Sequence, residues 1–367
     1  MKNKVVFLPL VCIVLAIVVI SGCAAPATPP TPAATPAPAP TPAPAQPITL
    51  KLGSDSVPAA YFNKAADWWV KEVVKATDGR VKIDQYHNSS IAKMNTSLES
   101  LVGGMVDIYI LSITGLGPQM PVSQGLCMPG LSFPSTLEGK VASCSNYAPI
   151  IQKYPSMANE WKNVKILYAN PGPTFHIISR GKEIHTPQDI VGVKIGALGS
   201  RQDLMKILGA APVAAPPPQA YEMLQNGVVE AFCMPWVAIN DFQLWEVGKF
   251  NVDADTGESG MVTAISNASW GKISPQDQKI IMDICAKTPP KSAEFLLGDQ
   301  QTAIKKWTDY GRTIFSVTKE ERASWQAKSK GYWDEWITKT EARGATGLKD
   351  ILSDRKAASD AAWANVK

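Results

Sequence analysis

Apolar and polar residues alternate through Val81–Tyr86, the period-2 pattern of a half-buried strand. Ahead of it, Ile48–Gly53 reads as an apolar strand, and Tyr61–Ala76 carries helical periodicity closed by Thr77-Asp78-Gly79. The opening is therefore β-α-β. The pattern next predicts a helix over 95–102 and strands over 107–111, 164–168 and 175–179. Pro187-Gln188-Asp189 starts a short helix that Thr186 can cap, and a strand over 193–197 leads into a helix over 201–208. Tyr221 to Leu224 present apolar residues on one face of a short helix that Gly227 ends. The last hundred residues are mostly helical, with Pro275 near one helix start and a long helix over 291–311. Alternating elements of these lengths predict an α/β fold.

The N-terminal pattern is different. Lys2 and Lys4 precede an apolar stretch, residues 5–20, that is shorter than a bilayer span and holds Pro9, so it reads as a secretory signal. Ile20-Ser21-Gly22-Cys23 follows and resembles a bacterial lipobox, with Cys23 as the thiol to be acylated. Residues 24–47 are almost all Ala, Pro and Thr, with ten prolines, which cannot pack a core and favour extended polyproline II geometry. At about 3.1 Å per residue this tether holds a folded body several tens of ångströms from a membrane. The expected location is extracytoplasmic, lipid-anchored, periplasmic or on the outer face of the cytoplasmic membrane.

Charge narrows the function classes. After residue 50 the chain has 34 Lys and Arg against 32 Asp and Glu, with no basic cluster to hold a phosphate backbone. The 45% apolar content and 11 Trp exclude a disordered chain. Apart from Cys12 in the signal and Cys23, the cysteines are Cys127, Cys144, Cys233 and Cys285. They form no C-x-x-C and allow three full disulfide pairings or free buried thiols. A nucleophile elbow, an H-E-x-x-H site, a phosphate loop and a dinucleotide fingerprint are all absent. His87, His176 and His185 are too scattered for a metal cluster. No reaction and no cofactor are proposed by the residues.

Several segments, in order, resemble one family. They are Lys71-Glu72-Val73 with Thr77-Asp78-Gly79-Arg80-Val81-Lys82-Ile83, and Gly104-Met105-Val106-Asp107-Ile108. The most specific is Thr186-Pro187-Gln188-Asp189-Ile190-Val191-Gly192-Val193-Lys194-Ile195, followed by Leu208-Gly209-Ala210-Ala211-Pro212-Val213 and the stretch from Tyr221 to Glu230. Asn267-Ala268-Ser269-Trp270-Gly271-Lys272-Ile273-Ser274-Pro275 completes the set. Together they resemble the solute-binding proteins of tripartite ATP-independent periplasmic (TRAP) transporters, the DctP family. The resemblance implies a two-lobe periplasmic-binding-protein fold with hinge strands and a long lobe-spanning helix. Lobe I is expected over 48–172 plus 258–298, and lobe II over 173–257 plus 299–367. It also implies a small organic solute captured between the lobes and delivered to small and large membrane subunits, with no chemistry by the chain itself. A binding lipoprotein of an ATP-driven importer and an extracellular enzyme on the same scaffold are the rival readings.

The sequence departs from the family where solute is held. The arginine expected after Val193-Lys194-Ile195, which forks onto a carboxylate, is Gly196. A basic position in the preceding strand is His176, the familiar asparagine of "E-N-P" is Met234, and an aromatic position is Pro217. This weakens the expectation of a dicarboxylate or a sialic acid. Two readings stay open. Tyr61, Phe175, Met234 and Trp236 line the cleft, with Asp55, Ser112 and His176 as hydrogen-bonding groups, around a neutral or weakly acidic, partly apolar or aromatic solute. Alternatively Arg180 or Arg201 reaches a monocarboxylate.

Overall fold

The computed structural model describes residues 47–365 apart from 198, 216–218 and 255. The signal, Cys23, the tether and Pro217 therefore lie outside the described residues. The chain runs β1 (Ile48–Gly53), α1 (Tyr61–Ala76), β2 (Val81–Tyr86), α2 (Ser97–Val102), β3 (Ile108–Ser112), α3 (Leu137–Ser145), α4 (Tyr147–Lys153), α5 (Pro155–Glu160) and β4 (Val164–Asn170). It continues through β5 (Phe175–Ser179), β6 (Lys194–Ala197), α6 (Ser200–Ile207), β7 (Ala211–Ala214), α7 (Ala220–Gln225), β8 (Ala231–Pro235), α8 (Trp236–Asp241) and β9 (Phe250–Val252). The last stretch is β10 (Met261–Ser266), α9 (Asn267–Trp270), α10 (Pro275–Cys285), α11 (Thr288–Asp309), β11 (Thr313–Phe315), α12 (Lys319–Glu341) and α13 (Leu348–Ala364).

Two sheets organise these elements, in the orders β2-β1-β3-β10-β4 and β11-β9-β5-β8-β6-β7. Their central strands β3, β10, β5 and β8 are buried on both faces, with alternate residues entering different cores. In β3, Ile108 and Ile110 enter one core with Trp69 and Ile281, while Tyr109 and Leu111 enter another with Tyr147 and Ile351. In the second sheet, Ile177 and Cys233 face one core, whereas Ile178, Phe232 and Met234 face the other with Trp307.

The chain crosses between the sheets as an antiparallel pair. β10 returns from the second sheet and inserts between β3 and β4, antiparallel to both. The crossover segments touch at the Thr174–Glu258 bridge, and Phe175 N donates to Gly257 O at 3.0 Å. Gly172 makes this approach possible, because a β-carbon there would lie 1.6 Å from Ser259 O. Buried charge secures the crossover. Lys140 Nζ pairs with Glu258 Oε1 at 2.5 Å and donates to Thr174 Oγ1 at 3.1 Å, while Ser143 Oγ donates to Glu258 Oε2 at 2.8 Å. Arg355 Nη2 lies 3.6 Å from the same carboxylate.

The long helix expected over 291–311 is α11. At about 1.5 Å per residue it runs some 33 Å, with Leu296 in a first-sheet core and Trp307 in a second-sheet core. A further brace was not foreseen. Along α12, Trp325 Nε1 donates to His185 O, then Trp333 and Trp336 donate to Pro129 O and Pro121 O. Residues 299–367 were expected wholly in lobe II, but α13 packs on α3 and residues 123–127. Its Ile351 and Leu352 are buried there, and Arg355 donates to Leu126 O and Ser143 O. The helix expected at 187–189 is a turn. There Asp189 accepts from Thr186 N and Oγ1 and from His185 N, so the capping runs from Asp189 backward. Cys127, Cys144, Cys233 and Cys285 are all free and buried, which closes the disulfide question in favour of thiols.

Candidate functional site: a cavity at the strand ends

A cavity of 420 Å³ lies where the two sheets meet, of the size that holds a small solute. Its walls come from the carboxyl ends of parallel strands, the usual ligand edge of such sheets: Asp55 follows β1, Ser112 ends β3, Arg201 follows β6 and Pro235 ends β8. Six of the residues expected at the cleft line this cavity, namely Asp55, Tyr61, Ser112, Phe175, Arg201 and Met234.

The other four do not. His176 is absent from the lining and sits 6% exposed with its ring 5.4 Å from Trp236, although Met234, opposite it in the β5–β8 register, does line the cavity. Burial pushes its imidazole below the usual range, opposed by Asp253 and reinforced by Lys140 and Arg322. Trp236, at the first turn of α8, is 4% exposed and fills the core between His176 and Trp307. Arg180 is exposed at the far end of β5, roughly 16 Å from Phe175 at about 3.3 Å per strand residue. Gly196 is buried behind the cavity wall. It stands opposite Phe232 in the β6–β8 register, and a β-carbon at 196 would meet that ring at 2.3 to 2.8 Å. Phe232, a cavity residue the sequence reading missed, thus occupies the room an arginine side chain would need. Only the pairing of β6 with β8 reveals it.

Arg201 is the distinctive group. It is 3% exposed, with Nη1 donating to Thr256 O at 2.6 Å and Nη2 to Glu258 O at 2.8 Å and Cys127 O at 3.3 Å. Its guanidinium lies 4.6 Å over the Phe175 ring. Its partners are carbonyls, and Nε–H finds no acceptor among the described residues. A buried donor on a buried cation, in the wall of a cavity, is chemically suited to an acceptor, and most to an anionic one.

The opposite wall is mixed. Tyr61 spends its hydroxyl proton on Pro171 O at 2.8 Å, so it offers a ring and an acceptor oxygen. Ser112 Oγ lies 3.2 Å from Thr114 Oγ1 and accepts from Gly115 N. Asp55 is half-buried, and burial pushes its carboxyl up. Met94, Phe62 and Asp241 also line the cavity and were not foreseen. Among the described residues, no group of three His, Cys, Asp or Glu is placed to hold a metal. No described helix is long and apolar enough to cross a membrane.

Comparison with known proteins agrees with this fold. The C4-dicarboxylate-binding periplasmic protein DctP of Rhodobacter capsulatus is 25% identical over 319 residues, covering 84% of this chain and 92% of its own. A TRAP periplasmic solute-binding protein of Desulfovibrio salexigens has a similar structure, with a TM-score of 0.76 at 20% identity over 87% of this chain and 98% of its own. A marine metagenome TRAP solute-binding protein specific for aromatic acid ligands, in complex with metahydroxyphenylacetate, gives 0.75 at 21% identity over 86% and 99%. With the model of bacterial extracellular solute-binding protein family 7 matched over residues 57–340, the chain belongs to that family, the DctP solute-binding subunits of TRAP transporters.

Proposed function

We infer that the chain is a lipid-anchored TRAP receptor whose solute is a small, partly aromatic monocarboxylic acid. The observation that carries this reading is the buried guanidinium of Arg201, which lines the cavity with Nε–H unmatched. A solute carboxylate completes its hydrogen bonding, and Phe175, already stacked on the guanidinium, offers a face for a ring. Phe232 in front of Gly196 supplies apolar wall where a second carboxylate would need a cation. Asp55, its carboxyl pushed up by burial, suits a hydroxyl substituent remote from the acid. The solute-binding neighbour specific for aromatic acid ligands lends support through its fold alone.

Closure of the lobes on this acid makes the surface that the small and large membrane subunits read, and the chain itself performs no reaction. Cys23, at the end of Ile20-Ser21-Gly22-Cys23, carries the lipid, with residues 24–47 as the tether. Cys23→Ala should release the protein from acyl-dependent membrane attachment, and an intact mass with unmodified Cys23 would refute the anchor.

The solute is tested with a body starting near Gln46, by mass spectrometry of co-purifying molecules and calorimetric titration. Benzoate and hydroxyphenylacetates should bind at micromolar Kd or tighter. Malate, fumarate and succinate should be weaker by about one to two decades, the worth of one missing charge-assisted hydrogen bond. Micromolar binding of a simple dicarboxylate, with none of the aromatic acids, would overturn the reading.

A further inference from the structure

The cavity has a neighbour. A second chamber of 500 Å³ opens on the other side of one thin wall and is lined by Tyr332 and Trp336 of α12, by Pro118 and Gln124, and by Lys339 and Arg343 towards its rim. The wall itself consists of Met94, Thr114, Gly115, Gly199 and Ser200, each of which lines both chambers. Two of these five have no side chain and two have short ones. Only Met94 reaches across, a half-buried, unbranched thioether with three rotatable bonds, the side chain best able to swing aside. It lies flat on Gly115, where a β-carbon would be 2.3 Å from Met94 Sδ and 2.9 Å from Cγ. Met94 is therefore the one long, flexible side chain of the partition, seated in a glycine notch.

The far chamber has the character of a ring-binding site. Tyr332 is half-buried and shared between the cores of the two sheets. Trp336 is 7% exposed and fixed by its Nε1 donating to Pro121 O at 2.8 Å, so the ring it presents is rigid. Lys339 is tied to Glu335 by an ion pair.

We propose that the second chamber is the distal half of the solute site and that Met94 is its door. The solute class it admits is an aromatic acid carrying a second ring, whose carboxylate stays at Arg201 while the second ring passes Met94 to lie against Tyr332 and Trp336. This rests on the aromatic-acid reading of the first chamber, and the experiment separates the two. Phenylacetate is the short probe and 4-phenylbutanoate and biphenyl-4-carboxylate are the long ones, titrated calorimetrically against the tether-free body, Met94→Ala and Gly117→Trp. Gly117 lines only the second chamber, and a β-carbon there meets nothing nearer than 3.7 Å, so a tryptophan fills that chamber and leaves the first intact.

Phenylacetate should bind Gly117→Trp within about twofold of the parent, which also shows that this variant is folded; because Met94 lines the first chamber too, Met94→Ala is read as the ratio of long acid to phenylacetate. That ratio should rise about fivefold or more in Met94→Ala, and the long acids should bind about tenfold or more weakly to Gly117→Trp, the size of effect expected for one buried ring. Long acids whose affinity is the same in Gly117→Trp as in the parent would overturn the second chamber while leaving the first reading standing. Failure of phenylacetate and of both long acids to bind the parent would instead remove the aromatic-acid reading, and this inference with it.

Discussion

Replacing Arg201 by lysine keeps the charge and removes the planar fork, which makes it the sharpest probe of the cavity. The guanidinium holds three carbonyls at 2.6, 2.8 and 3.3 Å, and its Nε–H has no acceptor among the described residues, the position proposed for the solute. An ammonium has three donors in a tetrahedral arrangement on a thinner stem, so it cannot serve Thr256 O, Glu258 O and Cys127 O and a ligand together. Two consequences separate. One buried carbonyl left unmatched lowers stability by about 1–3 kcal/mol. One charge-assisted hydrogen bond lost to the solute weakens binding by about 1.5–3 kcal/mol, or about 10- to 150-fold. The assay pairs benzoate with benzamide, which share the ring and differ in charge, and measures both by calorimetry beside a urea melt. The preference for acid over amide should shrink by one to two decades in Arg201→Lys, about the whole of that bond, while the amide changes much less. Equal weakening of acid and amide would mean that Arg201 only shapes the wall, and an unchanged acid affinity would place the carboxylate elsewhere.

Three further outcomes are expected. Gly196→Ala drives a β-carbon to 2.3 Å from the Phe232 ring and should lower stability by about 1–3 kcal/mol. In Gly196→Ala/Phe232→Ala the two losses should fall short of their sum by about 1 kcal/mol or more, and strict additivity in urea melts would refute the contact. Because burial holds His176 neutral in the folded state, the unfolded chain takes up a proton that the folded chain refuses, so stability should fall as pH drops below about 6.5. Its share of that slope is at most about 1.4 kcal/mol per pH unit, and His176→Asn should flatten the dependence; an unchanged slope rules it out as the source. Glu258→Gln leaves the fully buried Lys140 and Arg355 without their shared carboxylate and should lower stability by about 3–5 kcal/mol, measured by denaturant unfolding; a loss below about 1 kcal/mol would mean the carbonyl partners suffice.

Local patterns carried the elements well where one period dominated. β1, α1 and β2 stand at their expected bounds, because the alternation at 81–86 and the helical stripe at 61–76 are both long enough to be unambiguous. The expected long helix at 291–311 is α11, shifted by about one turn because Pro289 and Pro290 are tolerated in its first turn. At the site, parity alone does not sort the residues: Phe232, Cys233 and Met234 are consecutive in β8 and all line the cavity, and Met234 stands opposite His176, which does not. Other features needed the fold itself. The insertion of β10 between β3 and β4 brings Met261 and Ser259 to the cavity, and the register of Gly196 against Phe232 spans 36 residues of chain. Trp236 reads in sequence more often as core than as a stacking surface, and Trp307, from α11, is found against it.

Arg201 also connects binding to the relation between the lobes. It arises on α6, whose strand neighbours belong to the second sheet, yet it donates to Cys127 O beside the first sheet and to Glu258 O in the crossover. The Glu258 side chain turns the other way, to Lys140 on α3. On the proposed reading, a solute carboxylate on Nε–H would bind a group already engaged with both lobes and with the crossover. Only interactions that differ between open and closed arrangements move the population. The Phe175 face lies beside Arg201 on the second-sheet side of the cavity, whereas Tyr61, Ser112 and Asp55 line it from the first-sheet side, so on the proposed reading these three distinguish the closed arrangement from the open one. On that same proposed reading, the carboxylate sets which molecules dock, and the first-lobe groups set how far docking is converted into closure. A substitution at Asp55 or Ser112 should accordingly change closure more than it changes the preference for an acid, the reverse of Arg201→Lys.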